Sequence, residues 1–235
     1  MEINSKLNMR IVKKIQSHGA NSSLYIVEDT QLNEIFMLKQ IDKNKIKESS
    51  KYFDEVRNVK DIENKNIVKV NYATYDDDNI YISMPYYKNG SLQDILQERN
   101  LTVREIVKYS LEILSGLYYI HKKNILHCDI KPSNILIDDY GCAVLADFGS
   151  AININHSGVG KLKNVYYKHI APEQCYSSRV DVRVDIYQFG NTLYRMCNGE
   201  EEYNKQVKKS KNMTELKNAI VNGSFPSRKK YYPHI

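Results

Sequence analysis

Apolar and polar positions alternate in two distinct rhythms along this chain. Residues 24–27 (Leu-Tyr-Ile-Val) and 35–38 (Ile-Phe-Met-Leu) are short apolar runs around a turn-like Asp-Thr-Gln-Leu-Asn at 29–33, which predicts a β-hairpin. Between residues 49 and 63 the spacing becomes helical, with Phe53, Val56, Val59 and Ile62 on one face. Residues 67–73 and 79–84 predict a second strand pair around the acidic turn Asp76, Asp77 and Asp78. The stretch 85–90 (Pro-Tyr-Tyr-Lys-Asn-Gly) is extended and then turns, as a linker does. Beyond it, Ser91 with Asp94 and Thr102 with Glu105 have capping-box spacing, a hydroxyl at the N-cap and an acid three residues on. The second box opens the longest helical pattern, with Ile106, Ser110, Ile113, Leu117 and Ile120 on one face to about Lys123. Short strands and loops follow, then an apolar helix over 183–197 and a short helix over 214–221. The pattern predicts an α+β chain: a small β-rich part (1–84), a hinge (85–90) and a mostly helical part (91–235).

Composition narrows the class. Of 235 residues, 42% are hydrophobic and 26% charged, a globular balance that excludes intrinsic disorder. No stretch approaches the ~18–20 uncharged apolar residues of a membrane-crossing helix, so no membrane association is expected. Residues 1–10 hold no apolar core, so no secretory leader is expected. Cys128, Cys142, Cys175 and Cys197 are scattered without a C-x-x-C pair, which suits reduced thiols in a cytoplasmic chain rather than a zinc site. The net charge of +6 is spread among alternating lysines and acids, and no nucleic-acid partner is expected. Between Lys205 and Lys230 there are eight Lys or Arg and one acid, Glu215; a solvated face outweighs an anionic partner as its reading.

The chemistry concentrates in His-Cys-Asp-Ile-Lys-Pro-Ser-Asn at 127–134, Asp-Phe-Gly at 147–149 and Ala-Pro-Glu at 171–173. Asp129 and Asn134 lie in a loop braced by Pro132, and an apolar strand follows directly. A hairpin turning at 138–141 would return Asp147 to Asn134. One amide carbonyl and one carboxylate facing a shared space suit Mg²⁺, a hard cation that keeps substrate phosphates in its shell. Asp129 would remain free to accept a proton from an attacking hydroxyl, and Lys131 could neutralise charge developing on a transferred phosphoryl group.

The order, identity and spacing of these three motifs resemble the eukaryotic-type (Hanks-type) protein kinases, over about residues 11–225. The resemblance implies a bilobal fold and ATP and Mg²⁺ as cofactors. It makes Asp129 the catalytic base, Lys131 a γ-phosphate contact, and Asn134 and Asp147 the magnesium ligands. Residues 36–39 (Phe-Met-Leu-Lys) resemble the family's strand ending in the phosphate-binding lysine, here Lys39. Glu55, sixteen residues on, is placed to pair with it. The resemblance also makes Asp185 a brace for the catalytic-loop backbone and Met84 the gate behind adenine. Adenine would bond the Pro85 carbonyl and the Tyr87 N–H, and Leu136 joins the nucleotide contacts. Lys131 within Asp-Ile-Lys-Pro-Ser-Asn is similar to Ser/Thr kinases, so the implied partner is a protein substrate phosphorylated on Ser or Thr. The alternatives are a pseudokinase or nucleotide-gated interaction module and, lower, a small-molecule phosphotransferase of kinase-like fold.

Several positions depart from the family pattern. The glycine-rich loop aligns with residues 17–24 but keeps only Gly19; Ser17, Ser22 and Leu24 fill its other nucleotide-facing positions, which predicts weaker ATP affinity. Met37 stands where the family usually has alanine, which predicts a tighter pocket. Cys128 replaces the arginine that normally pairs with a loop phosphate, so activity is expected without phosphorylation of the 147–173 segment at Ser157, Tyr166 or Tyr167. Ser133 stands where Arg-directed kinases often have an acid. Lys161, Lys163, Lys168 and His169 crowd the same region, which allows an acidic substrate. Family members usually continue for further helices, one carrying an arginine partner for the glutamate matching Glu173. A missing segment or a partner is therefore expected to cover the C-terminal part.

Overall fold

A computed structural model describes residues 8–15, 22–46, 53–162 and 170–226. The chain divides into two units, the first running to Ile62 and resuming over Val68–Tyr87, the second comprising Glu63–Ile67 and everything from Lys88 onward.

The first unit is an antiparallel sheet of β1 (Met9–Ile15), β2 (Ser22–Asp29), β3 (Glu34–Asp42), β4 (Tyr72–Tyr75) and β5 (Asn79–Pro85), in the order β1-β2-β3-β5-β4. Side-chain oxygens close its turns. Asp29 Oδ1 accepts from the N–H groups of Gln31 and Leu32, and Asn33 takes a left-handed φ of 56° that closes the β2–β3 turn. Asp76 Oδ1 does the same for Asp78 and Asn79, while its Oδ2 accepts from the Tyr81 hydroxyl at 2.7 Å. Val27, Ile80, Ile82 and Met84 are buried in the sheet, and Val59 is buried on the α-helix of this unit, α1 (Asp54–Val59). The earlier part of the expected 49–63 helix, residues 49–52, lies outside the described residues.

The expected strand 67–73 is corrected: β4 starts at Tyr72, and Ile67 belongs to the second unit, where it bridges Leu145. Hydrogen bonding decides it. Buried Asn66 donates from Nδ2 to the Ala143 carbonyl at 2.9 Å and accepts at its own carbonyl from Leu145 N at 2.8 Å, anchoring this segment to the second unit.

The second unit is mostly helical. Both capping boxes form, at Ser91–Asp94 for α2 (Leu92–Glu98) and at Thr102–Glu105 for α3 (Val103–Lys122). Ile106, Tyr109, Ile113, Gly116, Leu117 and Ile120 make the buried face of α3. At Gly116 a Cβ would stand 2.8 Å from Leu145 Cδ1 and 2.9 Å from the Asn66 carbonyl, so glycine is required there for close approach. Short strands follow: β6 (Ile125–Leu126), β7 (Ile135–Ile137), β8 (Ala143–Leu145), β9 (Ile152–Asn153), β10 (Gly160–Lys161) and β11 (Arg179–Val180). They pair as β6–β9, β7–β8 and β10–β11.

The last helices are α4 (Arg183–Asn198), α5 (Glu200–Lys209) and α6 (Met213–Val221). Helix α4 is not the apolar helix its sequence suggests: Asp185, Gln188, Asn191, Thr192 and Arg195 are buried beside Val184, Phe189 and Met196. Helix α5 escapes an apolar-period reading because it buries only Tyr203 and Gln206. Its signature is instead electrostatic, with Glu200, Glu201 and Glu202 in the first turn and Lys208 and Lys209 in the last, each suited to the helix dipole. Among the described residues no helix is long and apolar enough to cross a membrane.

Candidate functional site

In the first unit the chemistry centres on Lys39. The register of β3 places it opposite Ile82 of β5 and Leu24 of β2, and its side chain is buried. Its Nζ donates to both carboxylate oxygens of Glu55, on α1, at 2.8 and 2.9 Å. With side-chain exposures of 8% and 13%, this pair is shielded from the screening that weakens surface ion pairs. The result is an ammonium held at a fixed position in a sheet. On the same strands Met37 lies opposite Met84, and Phe36 opposite Pro85. Met84 is buried, Pro85 and Tyr87 are half-buried, and Ser22 opposes Ile41 at the start of β2. Ser17 and Gly19 lie outside the described residues.

In the second unit, strand β6 feeds directly into the loop 127–134, and α4 holds that loop by its backbone. Fully buried Asp185 accepts at Oδ1 from Cys128 N at 2.7 Å, and at Oδ2 from His127 N at 2.9 Å and His121 Nε2 at 2.8 Å. One turn further along α4, Gln188 accepts from Ile130 N at 2.9 Å and donates to the Cys128 carbonyl at 3.0 Å. These bonds stabilise a backbone that would otherwise be costly, since Cys128 has a left-handed φ of 64° without being glycine.

The loop so held presents three side chains as one cluster. Asp129 Oδ2 accepts from Lys131 Nζ at 2.8 Å and from Asn134 Nδ2 at 2.9 Å, and Asn134 Nδ2 also contacts the Asp129 carbonyl at 2.9 Å. Both side-chain bonds fall on one carboxylate oxygen of Asp129, Oδ2. Its two neighbours fix it in position, and burial keeps it 5% exposed. Because the amide nitrogen of Asn134 is committed to Asp129, its oxygen is the atom left for other partners; the Ser133 hydroxyl lies 3.5 Å from it.

The β7–β8 hairpin then returns the chain. Asp138 Oδ1 accepts from Tyr140 N and Cys142 N in the turn, and Ile135 pairs with Leu145 in the ladder. The next residue, Ala146, donates its N–H to the Asn134 carbonyl at 2.9 Å and bonds His127 Nε2 through its own carbonyl at 3.0 Å. Asp147 follows immediately, exposed and left-handed at φ 61°, while the Phe148 ring packs 4.6 Å from the His127 ring. An amide oxygen and a carboxylate on adjoining backbone fit Mg²⁺, which takes a few protein oxygens and completes its shell with water or phosphate. Among the described residues no group of three or more His, Cys, Asp or Glu could hold a metal by itself.

Leu136 is half-buried on β7, opposite Val144, with Ser91 bridged to it. Cys128 packs its side chain among Leu126, Leu162, Ala171, Val180 and Val184. Burial, with Asp185 and Asp129 nearby, pushes its thiol well above the usual range, so it stays protonated and unreactive. The same apolar cluster packs Leu162 and Ala171, both within the 147–173 segment, against Cys128 of the loop 127–134. Ser157 and Lys161 are exposed; Lys163, Tyr166, Tyr167, Lys168 and His169 lie outside the described residues. Ala171 N donates to Gln174 Oε1 at 2.6 Å, and Glu173 has no ion-pair partner among the described residues. Sequence reasoning missed Gln188, His121 and Gln174. Of the three, Gln188 alone has a signal, its i, i+3 spacing from Asp185 on α4, which resembles an exposed face until the structure buries it.

A family model described as the protein kinase domain matches residues 11–233. The serine/threonine-protein kinase CLA4 of Candida albicans is 30% identical over 199 residues, covering 83% of this chain and 20% of that protein. A probable serine/threonine-protein kinase of Clostridium acetobutylicum is 31% identical over 211 residues, covering 86% and 32%. The 3-phosphoinositide-dependent protein kinase B of Dictyostelium discoideum is 33% identical over 191 residues, covering 77% and 21%. The chain thus spans about a fifth to a third of the length of these relatives.

Proposed function

Because the chain belongs to the protein kinase domain family, we propose that it transfers the γ-phosphate of ATP to a serine or threonine hydroxyl of a protein. The observation that carries this reading is the hydrogen-bonded cluster of Asp129, Lys131 and Asn134, held by Asp185 and Gln188 through four backbone bonds. In the proposed step Asp129 takes the proton of the acceptor hydroxyl, the hydroxyl oxygen forms the new O–P bond, and the bond from phosphorus to the ADP oxygen breaks. Lys131, beside Asp129, offsets negative charge on the moving phosphoryl group. Lys39, fixed by Glu55, presents an ammonium to the phosphates of the nucleotide. Asn134 and Asp147 would hold Mg²⁺, which supplies charge neutralisation at the phosphate oxygens when bound. Four scattered, unpaired cysteines support a reducing, cytoplasmic setting.

The test is incorporation of labelled γ-phosphate into a generic protein acceptor, with and without Mg²⁺, followed by phosphoamino-acid analysis. The expected result is Mg²⁺-dependent phosphoserine or phosphothreonine. Nucleotide binding without transfer would support the second reading, a nucleotide-gated interaction module, favoured by a glycine-rich loop that keeps only Gly19.

A further inference from the structure

Asp185 and Gln188 are both buried on α4 and both bind the loop 127–134, but they hold different parts of it. Asp185 binds upstream of the candidate base, at the N–H groups of His127 and Cys128. Gln188 straddles the base itself. Its Oε1 accepts from Ile130 N at 2.9 Å, and its Nε2 donates to the Cys128 carbonyl at 3.0 Å. Those two groups belong to the peptide planes on either side of Asp129. Because a peptide unit is planar, a residue's backbone has only the two rotations that join its flanking planes. Tying both planes to one planar amide fixes φ and ψ at Asp129, and with them the direction in which its Cα–Cβ bond leaves the chain.

The surroundings set this contact apart from ordinary packing. Gln188 is 2% exposed and Ile130 1%, so bulk water cannot substitute for either partner. Only one orientation of the amide suits a carbonyl on one side and an N–H on the other, so the group cannot turn over without losing both bonds. The bonds from Lys131 and Asn134 to Asp129 Oδ2 set the side-chain rotations of Asp129, a separate task. The plane after Asp129 is held a second time, at its carbonyl, by Asn134 at 2.9 Å. The plane before it is held by Gln188.

We propose that Gln188 is a positioning residue for phosphoryl transfer, aiming the Asp129 carboxylate at the acceptor hydroxyl by clamping the backbone on both sides of it. This role rests on the reading of the loop as a phosphotransfer site. Misplacing a reacting group by about 1 Å can cost on the order of 10²-fold in rate. An interaction that places the base acts in the transition state, so its loss lowers kcat and leaves KM for ATP alone.

Two variants test the clamp. Gln188→Met keeps the side chain's length and loses both bonds. Gln188→Asn keeps the amide but is one methylene too short to span both partners, and it keeps the test decisive if Gln188→Met misfolds. Each is assayed well below its own melting temperature, so that lost stability is not read as lost rate. In both, kcat should fall about 10- to 100-fold with KM for ATP unchanged. Amide exchange at Ile130 should quicken about tenfold or more, while His127 and Cys128, bonded to Asp185, keep their protection. A role in stability alone would lower the melting temperature and leave kcat at the parent value. That result, with a parent that transfers phosphate, overturns the proposal and spares the reading of the site. Unchanged protection at Ile130 overturns the clamp itself. A parent that transfers nothing overturns the reading of the site and this role with it, whatever the exchange at Ile130.

Discussion

Asp185 shows how one side chain can decide the geometry of a site without touching a substrate. Its carboxylate, fully buried, takes two backbone N–H groups of the loop 127–134 and the ring of His121. Asp185→Ala would strand the N–H groups of His127 and Cys128 away from water, at a cost of about 3 kcal/mol or more. The melting temperature should fall by about 6–12 °C, since each kcal/mol moves a chain of this size ~2–4 °C. Asp185→Asn keeps one acceptor and should lose less; equal losses would show that the carboxylate's charge, not its hydrogen bonds, holds the loop. At this scale the sequence was most informative where short motifs fix spacing. Asp129, Lys131, Asn134 and Asp147 were legible because their chemistry sits in contiguous loops. The commitment of Asp129 to Lys131 and Asn134 was not, because a side chain's hydrogen bonds depend on rotamers that spacing does not determine.

At the scale of elements, the α3 entry is the clearest case of sequence dictating structure. Thr102 caps the helix, Glu105 reaches back to it, and Arg99 reaches forward to Glu105. The Arg99 guanidinium, with the Thr102 N–H and hydroxyl, holds the Glu105 carboxyl down at about 2, against an ordinary 4.5. A carboxyl depressed in the folded state stabilises fully above its ordinary value and loses that contribution as pH falls through its folded one. The acid limb of the stability profile between pH 4.5 and about 2 should therefore be shallower in Glu105→Gln than in the parent. Parallel acid limbs would contradict the box. Elsewhere the elements resisted reading for identifiable reasons. Helix α5 carries charge on most of its surface, so periodicity was too thin to find it. Residues 67–71 look like a strand, yet Asn66 and Ile67 are bonded to Ala143 and Leu145 in the second unit, and the strand begins only at Tyr72. Helix α4 reads as apolar, yet it buries Asp185 and Gln188 beside Val184, Phe189 and Met196 because those two serve the backbone of another segment.

At the scale of the whole molecule, Leu162, between the Asp-Phe-Gly and Ala-Pro-Glu motifs, and Ala171, which opens the second, are fastened by packing. Cys128 lies in one apolar cluster with Leu162 and Ala171. A hydrophobic anchor needs no added charge to form. Replacing Ser157, Tyr166 and Tyr167 together by Ala, Phe and Phe should therefore leave the transfer rate at the parent value; abolished transfer would show that a modified loop is required after all.

As proposed above, the braced loop is a working phosphotransfer site with Asp129 as its base. The most direct measurement is transfer of γ-phosphate from Mg-ATP by the parent chain and by Asp129→Asn, side by side, with nucleotide affinity measured on both. Transfer by the parent, a loss of about 10²-fold or more in the variant, and equal nucleotide binding are expected. Equal transfer by the two proteins, or none by the parent despite bound nucleotide, would contradict it.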